Sequence, residues 1–318
     1  MDTMTMALAQ IQNTSLEEYK GIINENLIAQ WLKFADVSEK SIKTYTKSIR
    51  RFFVYLNEQG ITAPTADDVY EWRDSMKVEN KSASTINLYL TSCKLFFKFL
   101  NQRGIYNVDI SHVKGCKLTS EHKKDALTAE QGRSVLKSFN TTTLAGLRDK
   151  AMTALMMTCG LRTIEVSRAN VGDLVKTYGR TALFVQGKGR TDRRECVMIP
   201  AQIEKMINEY LQARGQVADN APLFAGIGNR NKGGRLTTDT ISRIVKASFK
   251  SVGLNSKRLT AHSLRHSAAT QMLLAGVELT QVQAVLRHKN INTTLIYSHH
   301  LDRLKNHAED FAANAFVA

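Results

Sequence analysis

Six residues of this chain could act together on a phosphate ester: Arg162, Lys188, His262, Arg265, His288 and Tyr297. An arginine offers paired N–H donors that can hold a phosphoryl group at two oxygens, which a lone lysine cannot do. A tyrosine oxygen can take over the phosphorus as a covalent ester. Two arginines and a tyrosine therefore read as a phosphate clamp with a nucleophile, and the obvious target is a DNA phosphodiester.

The elements that must position these groups are legible around them. Arg162 follows Gly160-Leu161 at the end of an apolar helical stretch; read alone, it is equally a helix-end arginine bonding nearby carbonyls or pairing with Glu165. Lys188 stands between Gly187 and Gly189, with strand-like runs 182–186 and 195–199 on either side, so it sits in a hairpin turn. Arg190, Arg193 and Arg194 share that turn and are rival claimants to whatever Lys188 does. His262 and Arg265 are three apart and would share a helix face, with Leu264, Ala268 and Met272 as the adjacent buried row and Gly276 as the stop. His266 makes a His-x-x-x-His pair with His262, but a zinc-protease pattern needs Glu after the first histidine and Ser263 stands there, so no metal is expected. The next helix is expected to start after Leu279, with Thr280 as N-cap, to turn Val282, Val285 and Leu286 inward, and to end near His288, where a histidine alone would be a favourable C-terminal charge. Tyr297 follows behind Asn292-Thr-Thr294, which can cap a short helix. Beyond it, Leu301, Leu304, Ala308, Phe311, Ala312, Ala315 and Phe316 recur at helical spacing and predict an amphipathic helix over about 301–316 with an apolar stripe that needs a partner.

The N-terminal part contains an internal echo. Residues 38–61 and 82–105 match in register at Ser, Ile, Tyr, Ser, Phe-Phe, Leu-Asn and Gly-Ile. Ile42, Tyr45, Ile49, Phe52, Phe53 and Leu56 form the apolar stripe of the first copy, and Ile86, Tyr89, Cys93, Phe96, Phe97 and Leu100 that of the second, so each copy is a long amphipathic helix closed by glycine. Two copies are too few for a solenoid, and helices near 24–35 and 66–76 complete a compact helical domain. Periodicity lapses over 111–124, and Thr128 with Gln131 then forms a capping-box start. The expected division is an N-terminal extension 1–20, a helical domain 21–110, a linker 111–124 and a second domain 125–318.

With 318 residues and a formal charge of +15, the chain should attract a polyanion. No signal peptide, lipidation motif or membrane-length apolar run competes with nucleic acid as partner, which leaves a soluble, cytoplasmic protein as the expectation. Cys93, Cys116, Cys159 and Cys196 lack zinc or disulfide spacing. The glycines at 226–234 fit neither a P-loop nor a dinucleotide fingerprint, so no cofactor is expected.

The segments Thr158-Cys-Gly-Leu-Arg-Thr-Ile-Glu165, Val185-Gln-Gly-Lys-Gly-Arg190, "AHSLRHSAAT", "VLRHKNINTT" and "LIYSHH", in this order, resemble the tyrosine recombinase (phage integrase) family over roughly residues 24–302. The resemblance implies a mainly α protein with a small β-sheet in the catalytic domain, an α+β fold whose two domains clamp DNA. It implies that Arg162 and Arg265 bind the scissile phosphate, His262 and His288 hydrogen-bond there, Lys188 protonates the leaving oxygen, Tyr297 attacks, Glu165 supports the site and His266 is structural. It turns the basic face bearing Lys43, Lys47, Arg50 and Arg51, otherwise read as a solvated helix face, into a DNA grip, with Arg190 as a further contact. The implied partners are double-stranded DNA with paired inverted half-sites and three more copies of the chain in a tetramer; accessory DNA-bending or directionality proteins stay open. A topoisomerase-like nicking enzyme and a catalytically silent DNA-binding protein are the competing readings. The sequence departs from the family at Arg287, where Leu-Gly-His is usual; losing the glycine implies a local adjustment of the backbone.

Overall fold

The computed structural model describes residues 25–118, 125–187, 192–193, 195–288, 290–291 and 294–295. Lys188, Arg190, Arg194, Tyr297 and the expected helix over 301–316 lie outside them. The chain divides into two compact units, Met1–Ser120 and Glu121–Ala318.

Among the described residues the first unit contains α1 (Glu25–Phe34), α2 (Glu39–Glu58), α3 (Ala66–Val78) and α4 (Ala83–Gln102). The internal echo is α2 and α4. Each begins after a serine cap, Ser38 or Ser82, and each is followed by a glycine in the left-handed region, Gly60 at φ 67° and Gly104 at φ 63°. The two helices pack against each other, and their sequence equivalence appears as reciprocal bonds. The Ser48 hydroxyl donates to the Tyr89 carbonyl at 3.1 Å, and Ser92, its counterpart in the repeat, donates to the Tyr45 carbonyl at 3.2 Å. Small hydroxyl residues let the helices approach here and satisfy their own polar atoms at the same time.

Around this crossing the core is aromatic. Trp31 meets Phe96 edge-on with centroids 5.3 Å apart, Phe52 tilts against Trp72 at 4.8 Å, and all four rings are buried. Ile49, Phe52, Phe53 and Leu56 of the first stripe are buried and Ile42 and Tyr45 partly so; every member of the second stripe is buried. The stretch expected as a linker begins as a strap on this unit. Val113 is buried in its core, Lys94 donates to the Ser111 carbonyl at 2.7 Å, Arg73 to that of Lys114 at 2.9 Å, and the Asn87 side chain both donates to and accepts from the Cys116 backbone.

The second unit is built on α5 (Ala129–Lys137), α6 (Leu144–Cys159), α7 (Thr163–Arg168), strands β1 (Leu174–Thr177), β2 (Arg180–Val185) and β3 (Glu195–Ile199), then α8 (Ala201–Arg214), α9 (Thr238–Ser251), α10 (Ala261–Leu274) and α11 (Leu279–Leu286). The Thr128–Gln131 capping box starts α5, with both reciprocal bonds made. α6 is apolar nearly all round, burying Ala151, Met152, Ala154, Leu155 and Met156, as befits a central helix packed by α8, α10 and β3.

The sheet is antiparallel in the order β1-β2-β3, with Leu183 opposite Leu174 on one side and Val197 on the other. β2 and β3 are the two strands expected around Lys188. β1 is an addition that the pattern did not announce. It is four residues long and joins β2 through Tyr178-Gly179, both at positive φ, a two-residue turn whose twist matches the strands. The protein is thus mainly helical with one small sheet, as the resemblance implied.

Candidate active site

Arg162 is the N-cap of α7. The chain reaches it from α6 through Gly160, at φ 62°, where a side chain is excluded twice over: the conformation favours glycine, and a Cβ would lie 2.4 Å from a Leu286 methyl. That close approach seats the α6–α7 turn directly on the end of α11. Glu165, the third residue of α7, then reaches back along its helix. Its carboxylate accepts the Arg162 backbone N–H at 2.8 Å and the Arg162 guanidinium at 2.9 Å.

Arg265 lies in α10 with 1% of its surface exposed, and it bridges the same two turns. Its guanidinium donates to the Gly160 carbonyl at 2.5 Å and to the Leu286 carbonyl. The carbonyls left over at the ends of α6 and α11 are thereby satisfied, and the guanidinium plane is fixed. His262, on the same face by spacing, is exposed; its ring packs edge-on against His266 at 4.8 Å, and His266 is buried.

α11 corrects two expectations. Its N-cap is Glu278, not Thr280, and Val285 is exposed rather than inward. The start is set by packing: Val277 and Val282 join one small apolar cluster, stapling the entry of the helix one turn before its fourth residue. Val282 and Leu286 are buried as expected.

Arg287 ends α11 in the left-handed conformation, φ 55° and ψ 46°, which costs a residue with a Cβ roughly 1–2 kcal/mol. The backbone therefore takes the path a glycine would take, and the adjustment is strain rather than displacement. The side chain folds back, donating to the Val285 carbonyl at 2.6 Å and pairing with Glu165 at 2.8 Å.

His288 comes next. Its Nδ1 lies 2.9 Å from the Thr294 hydroxyl, and Gln283 donates to its carbonyl at 3.0 Å. Thr294 is fully buried, three residues before Tyr297. Burial, and then the cations Arg265, Arg162, His262 and Arg287, hold the His288 pKa down at about 4. The four residues come from three segments of the chain, so the imidazole lies in a positive field drawn from all three. Burial pushes the Glu165 carboxyl up, but Arg287 first, and then Arg162 through its N–H, charge and side-chain bond, bring its pKa below the ordinary value. Two guanidiniums share this one carboxylate and Arg265 donates to carbonyls, so the cluster keeps a positive surplus suited to an anion.

Lys188 lies outside the described residues, but both roots of its turn are fastened to the far end of α7. Arg168 donates to the Gly187 carbonyl at 3.2 Å; Arg193 donates to the Arg168 carbonyl at 3.0 Å and pairs with Asp173 at 2.8 Å. Arg193, a rival claimant in the sequence, is thus committed to the scaffold. Sequence reasoning gave Thr294 only a place in a helix-capping run, assigned nothing to Arg168, and noted Arg287 only as a departure. The one local signal was Arg287 itself, a long side chain at a helix end where glycine is favoured.

On the first unit, Lys43 and Lys47 are exposed, while Arg50 and Arg51 are half-buried and Arg51 pairs with Glu79. Among the described residues no cluster of His, Cys, Asp or Glu has the makings of a metal site, and no helix is long and apolar enough to cross a membrane.

Residues 125–303 match the profile of the Phage integrase family, and residues 28–104 match the Phage integrase N-terminal SAM-like domain. The chain belongs to the phage integrase family. It is 30% identical over 287 residues to tyrosine recombinase XerA of Pyrococcus horikoshii, covering 89% of this chain and 92% of that one. Tyrosine recombinase XerD of Listeria monocytogenes is 29% identical, over 86% of this chain and 94% of its own. The fold is similar to that of XerH site-specific recombinase in a post-cleavage complex with palindromic difH, at TM-score 0.72, 20% identity, and 96% and 95% coverage of the two chains. It is also similar to a lambda integrase dimer bound to a COC' core site, at TM-score 0.67 and 16% identity, with coverages of 84% and 96%. This recombinase is therefore an enzyme of the tyrosine type that breaks and rejoins DNA at specific sites, and the topoisomerase-like and silent readings fall away.

Proposed function

We propose that the recombinase cuts DNA with Tyr297. The tyrosine oxygen attacks the scissile phosphorus, a 3′-phosphotyrosine forms, and the 5′-oxygen leaves with a proton from Lys188. Arg162 and Arg265 take up the charge of the pentacoordinate phosphorus, with His262 and His288 adding hydrogen bonds. Glu165 holds Arg162 in place. The observation that carries this reading is the convergence of Arg162, Arg265 and His288, from three separate segments, on one buried cluster whose Thr294 contact leads three residues on to Tyr297. In such a site the guanidiniums are fixed by protein partners before DNA arrives, so little reorganisation remains for the reaction step.

The phosphotyrosine keeps the free energy of the original ester. A 5′-hydroxyl from a partner duplex can then reverse the step and reseal exchanged strands, so two rounds pass through a Holliday junction without an added energy source. On this reading the substrate is duplex DNA with paired inverted half-sites, gripped by both units and assembled with four copies of the chain, as an integrase or a dimer-resolving enzyme. A lambda integrase tetramer bound to a Holliday junction, a fold neighbour at TM-score 0.65 and 16% identity, supports the assembly. The basic face with Lys43 and Lys47 supplies backbone contacts, and Arg190 joins them beside Lys188.

A duplex carrying a nick near the scissile phosphate loses the short fragment that bears the new 5′-hydroxyl on cleavage, which traps the covalent complex. Wild type should accumulate that complex on a denaturing gel and Tyr297→Phe none, while both bind the site alike; a complex trapped by the Phe variant moves the nucleophile elsewhere. On a substrate with 5′-bridging sulfur, whose thiolate leaves without a proton, Lys188→Ala should recover and Arg162→Ala should not. Equal recovery removes Lys188 as the acid.

A further inference from the structure

We propose that Arg287 is a positioning residue for the cleavage step: through the Glu165 carboxylate it sets the Arg162 guanidinium and joins the turn carrying His288 to the turn carrying Arg162. The inference rests on the reading of Arg162 and Tyr297 given above.

The geometry is that of a relay with one buried joint. Glu165 is fully buried, and its two oxygens are divided between two arginines. One oxygen accepts the Arg162 guanidinium, while the other accepts both the Arg162 backbone N–H and the Arg287 guanidinium. Without Arg287 the carboxylate would answer to Arg162 alone. Still bonded at each oxygen by Arg162, it would place its full charge on the guanidinium that has to meet a phosphate. Shared between two cations, it takes a second charged donor on the oxygen that accepts the Arg162 backbone N–H, and it neutralises less of either guanidinium.

The backbone points the same way. Arg287 occupies a left-handed position that glycine would fill without strain, yet its side chain is 5% exposed and bound at both ends of its guanidinium. Strain of this kind persists where the surroundings over-determine it, and it gathers at functional sites. A merely tolerated arginine here could extend into solvent, since α11 ends at the surface with Ala284 and Val285 exposed. Arg265 ties the same two turns through their carbonyls, so the turns stay docked without Arg287, and what Arg287 adds is control of the carboxylate.

Arg287→Gly removes the side chain and the strain together, which separates the two explanations. With the nicked duplex at saturating concentration, the variant should keep its melting temperature and bind a half-site within about twofold of wild type, yet cleave about tenfold more slowly or worse, as expected when a reacting group is slightly misplaced. Arg287→Lys should recover part of that rate. Glu165→Gln should also be slow, and adding it to Arg287→Gly should cost little more, because both act through one carboxylate. Cleavage by Arg287→Gly at the wild-type rate overturns the proposal, as do losses that multiply in the double variant or a glycine variant that does not fold. If wild type itself forms no covalent complex, the site reading fails and this proposal fails with it; if wild type cleaves and Arg287→Gly cleaves equally well, only this proposal is lost.

Discussion

Among the described residues of the first unit the polar side chains that reach the core are Thr46, Ser48 and Ser92, all neutral hydroxyls in a core rich in aromatic rings. The second unit buries Arg148, Glu165, Arg265 and His266 as well, and almost buries Arg287. Ser48 and Ser92 donate to carbonyls, and Arg265, Glu165 and Arg287 bond to carbonyls or to one another, but the two kinds of bond come at different cost. A hydroxyl that donates to a carbonyl across a helix crossing gives up little hydration. A guanidinium or carboxylate gives up several kcal/mol and recovers it only through good geometry. Charged groups are therefore a poor way to gain stability and a good way to fix a charge in space. The first unit is built to be a stable platform. The second holds charge in place ahead of a reaction.

The sharpest way to break that comparison is to exchange the roles. Arg265→Lys keeps the charge but cannot reach both the Gly160 and Leu286 carbonyls or hold a phosphate with a planar fork. Covalent-complex formation should fall on the order of 100-fold or more, with half-site binding reduced far less. Phe52→Ala should do the opposite, costing about 3–5 kcal/mol in denaturant unfolding while leaving the cleavage rate per folded, bound molecule unchanged. An Arg265→Lys variant that loses stability but not rate would make the buried charges of the second unit structural, and the contrast would collapse.

How much of this was legible beforehand follows from how local each feature is. Arg162 with Glu165, His262 with Arg265, and the strands around Lys188 are each contained in one short segment, where residue type and spacing suffice. The repeat in the first unit was also visible, because α2 and α4 carry the same stripe. What the repeat is for was not: the bonds from Ser48 to Tyr89 and from Ser92 to Tyr45 join residues 41 and 47 apart. The same limit hid the Arg287–Glu165 pair, 122 residues apart, and the fastening of Arg168 to Gly187. At α11 a local rule pointed to Thr280, and a non-polar staple between Val277 and Val282 overrode it. The attachments at the start of the expected linker were hidden for a similar reason. Its periodicity lapses, yet its backbone is bound by Lys94, Arg73 and Asn87 from two helices.

A smaller effect should separate the units by salt. If the first unit holds DNA by exposed charge alone, Lys43→Gln and Lys47→Gln should each flatten the plot of log affinity against log salt by about 0.9 for every DNA phosphate left without its cation, with no change in the cleavage rate at saturation. Arg51→Gln should change the slope less, because Glu79 already takes part of that charge. An unaltered slope in the two lysine variants would return this helix face to simple solvation.

The smallest expected effect is on stability against pH, and it should belong to the second unit. His288 has an ordinary pKa of 6.5, which burial and the surrounding arginines lower to about 4 in the folded protein. Between those values the unfolded chain takes up a proton that the folded one refuses. Acid therefore favours unfolding through this residue, beginning as pH drops below about 6.5 and reaching its full extent below about 4; above 6.5 the contribution vanishes. His288→Gln keeps a hydrogen-bonding side chain beside Thr294 but cannot titrate in this range. Its melting temperature should thus fall less steeply than that of wild type between pH 7 and 4.5, with the two curves closing by a few degrees at the acid end. Arg287→Gly takes away one of the cations that disfavour the imidazolium, and its curve should lie between the other two. Parallel curves for wild type and His288→Gln would mean that the imidazole protonates in the folded state as readily as in the unfolded one. The cluster would then hold its positive charge too loosely to be called preorganised.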